Sequence, residues 1–272
     1  MNTNAAKRWA IIADDLTGAA DAAAAYGPTH SSSVILDLDS SWPEADILSV
    51  NTESRYLSAE DAAAAVTAAV VRALEQDRQV FKKIDSLLRG NVGAEVAAAL
   101  GRVSEGRGRG LALVAPAFPG TGRTTVGGMV HVNGAQNARG SFDGDVAAAL
   151  AAGGLSSELV GREAPGNPEE LAAHLRDVQG RGTDAVVLDA ASDDDLQLVA
   201  AAAALLDFPA LLVGSGGLAG HIAPRGEARD VLSDRARRVR RTLTVIGSYS
   251  GLARQQTEAL VAAGAQHIAL DH

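Results

Sequence analysis

Four short polar segments hold the residues best suited to chemistry: Asp14-Asp15-Leu16-Thr17-Gly18, Asn51-Thr52-Glu53-Ser54-Arg55, Asp85-Ser86-Leu87-Leu88-Arg89-Gly90-Asn91 and Phe118-Pro119-Gly120-Thr121-Gly122-Arg123. Arg55, Arg89 and Arg123, with Lys83 just ahead of the third segment, form a cationic set. Guanidinium groups suit a carboxylate or phosphate because they donate paired, charge-assisted hydrogen bonds. The aspartates accept from hydroxyls. Cations and acids intermixed in this way suit a small ligand that carries both a carboxylate and hydroxyls, and a sugar acid meets that description. Were the reaction a phosphoryl transfer, an aspartate beside the reacting hydroxyl would orient it or take its proton. Asp15 and Asp85 are the candidates for that part, and Asp14, Arg55, Lys83, Asp85, Ser86, Arg89 and Arg123 for ligand binding.

Each segment also has a plainer explanation. Asp14 or Asp15 can cap the helix running to Tyr26, leaving the other to face a ligand. Arg55 can be a surface arginine. Lys82 and Lys83, adjacent in a strand, point to opposite faces, whereas Lys83 and Asp85 share one. A sheet-edge strand that uses the lysines against aggregation is the alternative for that pair. Gly90 permits a close turn, after which Asn91 caps the next helix.

The elements that must position these groups follow from the alternation of short apolar runs with alanine-rich helical stretches. That pattern predicts an α/β fold, a mainly parallel sheet flanked by helices. Strands are expected at residues 9–13, 34–37, 46–50, 80–84, 111–115, 185–189 and 211–213. Helices are expected at 59–74, 92–100 and 193–206, the last opened by Ser192 with Asp195 at capping-box spacing. Residues 127–182 are rich in glycine and turns, with a strand at 130–132 and a helix at 168–178. In a parallel sheet ligands gather beyond the carboxyl ends of the strands, where the four polar segments fall.

Residues 1–224 read as a substrate-binding domain and 225–241 as a charged linker. Residues 242–272 read as the first βαβ unit of a second α/β domain that is cut short, with strands at 242–247 and 267–270 around a helix at 252–263. The turn Gly214-Ser215-Gly216-Gly217 lacks dinucleotide spacing and reads as a tight strand-to-helix turn. Gly247-Ser248-Tyr249-Ser250-Gly251 has two readings of equal standing, a phosphate-facing turn and an ordinary serine cap.

Composition narrows the class. With 24 Lys+Arg against 33 Asp+Glu the formal charge is −9, which disfavours nucleic acid as a partner. The absence of cysteine excludes disulfides and thiolate metal sites. Six histidines without ligand spacing, and no P-loop or His-Glu-x-x-His motif, argue against a zinc hydrolase or P-loop enzyme, and no metal ligands are assigned. No segment has the apolar length of a membrane span or signal core, so cytoplasm is the expected location and a membrane is not an expected partner. Oligomeric state stays open, with a homodimer as one candidate.

These segments, in this order, resemble the four-carbon acid sugar kinase family. Ile12-Ala13-Asp14-Asp15-Leu16-Thr17-Gly18 is similar to its opening motif, and Lys83-Ile84-Asp85-Ser86-Leu87-Leu88-Arg89-Gly90-Asn91 to its second, where threonine is more usual at position 87. Pro116-Ala117-Phe118-Pro119 with Gly122-Arg123, then Gly214 to Ala219, and Gly247-Ser248-Tyr249-Ser250 with Arg254-Gln255-Gln256, resemble later ones. The resemblance implies ATP-dependent phosphorylation of a hydroxyl on threonate, erythronate or a 3-oxo-tetronate, with magnesium. It implies that Asp14, Arg55, Lys83, Ile84, Asp85 and Ser86 bind the acid and that Ser248 or Ser250 touches ATP. Members of the family continue into a second α/β domain carrying further nucleotide loops, so a non-catalytic sugar-acid-binding module or a shortened inactive chain is the main alternative. A nucleotide-binding oxidoreductase, resting only on the Gly214 turn, is a weaker one.

Overall fold

A computed structural model describes residues 8–138, 140–163, 165–223, 242–246 and 251–269. The chain divides into two compact units, 1–230 and 231–272. In the first, the elements run β1 (Trp9–Ala13), α1 (Leu16–Ala24), β2 (Ser32–Ile35), β3 (Ile47–Asn51), α2 (Ala59–Glu75), β4 (Gln79–Lys83), α3 (Val92–Ser104) and β5 (Leu111–Ala115). Then follow β6 (Arg123–Val126), β7 (Met129–Val132), β8 (Ala135–Gln136), α4 (Val146–Ala151), β9 (Ser157–Val160), α5 (Pro168–Arg181), β10 (Ala185–Leu188), α6 (Asp193–Ala203), β11 (Ala210–Gly214) and α7 (Gly216–Ala219).

Eight strands form one parallel sheet in the order β2-β3-β1-β4-β11-β5-β10-β9. The α/β architecture expected from the alternation is therefore present. Helices cover both faces, which is why β1 and β5 are apolar or small along their length and buried throughout. On one face Ile12, Val50 and Val114 pack with Val66 of α2 and Val96 of α3. On the other, Ile11, Phe81 and Leu113 pack with Ala22 of α1, Leu175 of α5 and Leu196 of α6.

Helix starts follow local chemistry. Ser58, Asn167 and Ser192 cap α2, α5 and α6, and Ser192 with Asp195 completes a reciprocal capping box. Two strands depart from expectation. The second lies at 32–35 rather than 34–37, because its ladder with β3 pairs Ser32 with Ile47 and Ile35 with Val50, leaving Leu36 exposed. The edge strand β9 reads Ser-Glu-Leu-Val and lacks the continuous apolar run that marks its buried neighbours. Residues 123–136 build a separate antiparallel sheet, β6-β7-β8, where only a strand at 130–132 was expected.

In the second unit α8 (Gly251–Ala262) forms as expected. The strands expected at 242–247 and 267–270 do not form among the described residues: 242–246 and 265–269 have no ladder partner. A strand exists only through a neighbour that takes its hydrogen bonds. The linker expected at 225–241 lies outside the described residues, as do Ser248 and Ser250. Among the described residues no helix is long and apolar enough to cross a membrane.

Candidate functional site

Parallel register aligns five strand ends. Ala13 lies opposite Asn51 and Lys83, and Gly214 opposite Lys83 and Ala115. The next residues along each chain, Asp14, Thr52, Ile84, Ser215 and Pro116, therefore leave the sheet side by side. Residues far apart in sequence meet on this edge because the ladder puts them there.

Arg55 is the centre of the arrangement. Its Nε donates to Asp14 Oδ2 at 2.7 Å, NH2 to Asp14 Oδ1 at 3.1 Å and NH1 to Asp15 Oδ2 at 2.5 Å. Asp85 Oδ1 stands 3.7 Å from NH2. Burial works against the guanidinium charge, but the hydrogen bond to Asp14 and the charges of Asp14, Asp15 and Asp85 outweigh it, so the pKa is raised. Arg55 is thus buried, not a surface arginine.

Asp15 is the helix cap, since its Oδ1 accepts from Gly18 N at 2.8 Å while Oδ2 reaches Arg55. Asp14 does not cap; it is buried against Arg55. Among the three acids at Arg55, the Asp15 side chain retains most contact with solvent, 23% against 4% for Asp14 and 7% for Asp85. Gly18 makes room for the cluster: a Cβ there would sit 2.6 Å from Asp15 Oδ1 and 2.9 Å from Lys83 Nζ.

Lys83 is buried on the α1 side of the sheet, and its Nζ donates to Ile84 O at 3.0 Å. Burial lowers its pKa against the attraction of Asp14, Asp15 and Asp85. Ile84 contributes backbone, since its N–H donates to Gly214 O at 2.9 Å and its side chain is buried. Lys82, on the opposite face, meets Glu95 of α3 at 2.7 Å. The edge-strand explanation for this lysine pair is overturned: β4 lies in the sheet interior between β1 and β11.

Asp85 organises the following loop. Its Oδ2 accepts from Leu87 N, Arg89 N and Arg89 Nε, and its Oδ1 from Arg89 NH2 at 2.7 Å. Gly90 adopts φ +85° with its Cα side pressed on Arg55, where a Cβ would meet Cγ and O at 3.3 Å. Asn91 precedes α3 but makes no capping bond with its side chain, contrary to expectation. Its Nδ2 instead donates to Ser54 O and Leu57 O, which ties down the loop that carries Arg55.

Ser86 Oγ accepts from Arg123 NH1 at 2.6 Å, so the fourth segment joins the third. Arg123 arrives on β6, outside the main sheet. That small sheet is held by Asp189 at the end of β10, which accepts from Gly127 N and Gly128 N, and by the bridge between Thr125 and Ala190. Asp14, Asp15, Arg55, Lys83, Ile84, Asp85, Ser86, Arg89 and Arg123 are therefore contiguous.

Sequence reasoning missed Glu95 and Asp189. Glu95 is an acid on the same helical face as Val92, Val96 and Ala99, all buried, and that conflict of pattern was the signal available. Asp189 had no local signal, because its partners are backbone amides 61 and 62 residues away. The Gly214 turn is tight, as expected. A Cβ on Gly216 would meet the Phe118 ring at 2.7 Å and one on Gly217 would meet Ala117 O at 2.4 Å, so the turn is filled by its own neighbours.

The carboxyl of Asp85 is held below the usual aspartate range. Burial alone would raise it, but hydrogen bonds from the Arg89 side chain and backbone, with the charges of Arg89 and Arg55, prevail. A depressed carboxylate contributes stability that is complete above its unfolded pKa and is lost as pH falls through the folded one. Stability should therefore decline below about pH 4, the ordinary aspartate value. In Asp85→Asn that acid limb should be shallower by up to one proton in urea unfolding measured across pH, and an unchanged slope would count against this assignment.

A sequence profile described as the sugar-binding N-terminal domain matches residues 9–222. The chain belongs to this family. Named relatives agree with the resemblance to four-carbon acid sugar kinases seen in the motifs. The D-threonate kinase of Cupriavidus necator is 38% identical over 269 residues, covering 93% of this chain and 63% of that protein. The D-erythronate kinase of Heliobacterium modesticaldum is 30% identical, covering 92% and 59%. A crystal structure from Bordetella bronchiseptica, titled a domain of unknown function with bound citrate in a domain-swapped dimer, superposes with a TM-score of 0.68 at 33% identity. It covers 96% of this chain and 66% of that one. The chain thus spans 59–63% of the length of the curated relatives it matches.

Proposed function

We propose that this chain supplies the substrate site for ATP-dependent phosphorylation of a hydroxyl on a four-carbon sugar acid of the threonate, erythronate or 3-oxo-tetronate class. The observation that carries the reading is the single polar network at the carboxyl edge of the sheet, in which acids and cations alternate within hydrogen-bonding distance. Such a surface can accept from several hydroxyls and still grip an anion. The names of the curated relatives support the same substrate class, and the bound citrate of the Bordetella bronchiseptica structure supports an acid ligand.

In this reading Asp15, the most exposed of the three acids at Arg55, orients the reacting hydroxyl. Arg55 fixes the carboxylates of Asp14 and Asp15 by three hydrogen bonds, and Lys83 packs behind them. Asp85 fixes Arg89 and its loop. When bound, ATP with magnesium supplies the phosphoryl group. Ser248 and Ser250 are the residues of this chain proposed to reach it, and a homodimer is the proposed assembly.

Calorimetric titration with D-threonate and D-erythronate is the direct test. Binding of at least one acid is expected, and binding of neither removes the reading. Turnover with Mg-ATP then separates a kinase from a binding module. The module reading draws support from the span of the family match, residues 9–222, which is described as sugar-binding.

A further inference from the structure

Resting on the sugar-acid reading above, we infer that Arg123, rather than Arg55, grips the carboxylate of the ligand, leaving the Asp14 and Asp15 side of the site to read hydroxyls. The argument begins with charge. Arg55 is engaged by Asp14 and Asp15 through Nε, NH1 and NH2, and Arg89 by Asp85 through Nε and NH2. Lys83 is buried among the same three acids. Asp14, Asp15 and Asp85 thus face Arg55, Lys83 and Arg89, while Lys82 pairs with Glu95 on the far face.

Arg123 is the fourth cation at the edge, and its side chain donates to the neutral hydroxyl of Ser86 at 2.6 Å. No acid lies within ion-pairing distance of it among the described residues. Among the described residues its Nε and NH2 make no hydrogen bond, so the two donors that form parallel bonds to a carboxylate are uncommitted. For Arg55 to do the same it would have to release Asp14, and a buried acid stripped of its partner is costly.

The mounting of Arg123 fits the role. It reaches the site on β6, a sheet separate from the one that carries the acids, and Asp189 and the Thr125–Ala190 bridge fix that sheet from behind. A cation mounted apart from the hydroxyl-binding acids sets a distance between the two ends of the ligand. That distance selects the length of the acid as well as its charge.

The test compares D-threonate with its uncharged amide, which keeps the hydroxyls, by calorimetry on the full chain. Wild type should prefer the acid. Arg123→Met should weaken acid binding by about 30-fold, the loss of a charge-assisted hydrogen-bonded pair, and should leave amide binding within about twofold, so that the preference disappears. Arg123→Lys should recover part of it, since the charge returns without the paired donors. An acid-over-amide preference in Arg123→Met equal to that of wild type overturns the inference alone. Equal loss of both ligands also overturns it, because that reports a structural role. Failure of the wild type to bind either acid or amide removes the sugar-acid reading and this inference with it.

Discussion

Replacing Lys82 with methionine lowers the free energy of unfolding by about 3–5 kcal/mol, the usual cost of leaving one member of a buried ion pair without its partner. Both side chains are sealed from solvent, 0% exposed for Lys82 and 2% for Glu95, with Nζ 2.7 Å from Oε2. Lys82 Nζ also donates to Ile12 O and Lys83 O, so the lysine holds the ends of β1 and β4 together. Glu95 in turn accepts from Ser54 Oγ at 2.8 Å, and Ser54 Oγ lies 2.7 Å from Thr52 Oγ1, which donates to Ala13 O. The pair therefore anchors, from beneath, the loop that presents Arg55. Replacing both residues with apolar ones, Lys82→Met with Glu95→Leu, should recover most of the stability, because no isolated charge remains in the core. Urea unfolding of the two variants decides the matter. A single variant within about 1 kcal/mol of wild type, well below the cost of leaving a buried ion without its partner, would show that the pair is not holding this edge.

Replacing Arg55 with methionine is expected to abolish ligand binding, a loss of more than about 100-fold, and to destabilise the fold as well. Three donors to two carboxylates disappear at once, and Asp14, only 4% exposed, is left buried without its counter-charge. Arg55→Lys should rescue little, since one ammonium cannot span Asp14 and Asp15 as the planar fork does. The signature differs from that of Arg123. Because Arg55 organises the acids that read hydroxyls, its loss should reduce D-threonate and the uncharged amide to the same extent. Calorimetry with both ligands, alongside a thermal unfolding scan to confirm that the variant is folded, separates the two arginines. Retention of wild-type affinity in Arg55→Met would remove the central residue from the site and with it the present assignment.

Much of this protein is legible in its sequence because the signals are local. The runs Trp9–Ala13 and Leu111–Ala115 are expected residue for residue, since a strand buried on both faces must be apolar or small throughout. Ser192 announces the start of α6 because a capping box needs only two side chains three residues apart. The four polar segments could be placed at one edge from the rule that strands in a parallel sheet deliver their loops to the same side.

Partnership within that edge was decided by tertiary structure alone. Arg55 and Asp14 are 41 residues apart, and nothing nearby in either segment says which carboxylate takes which donor; the register Ala13 opposite Asn51 and Lys83 does. The same holds for Glu95 beneath Lys82 and for the small sheet that carries Arg123 to Ser86. Apolar periodicity and caps are properties of a segment, so composition and spacing determined the elements. A charge acquires its function from whatever the fold sets opposite it, and in a parallel sheet that neighbour arrives from a distant part of the chain.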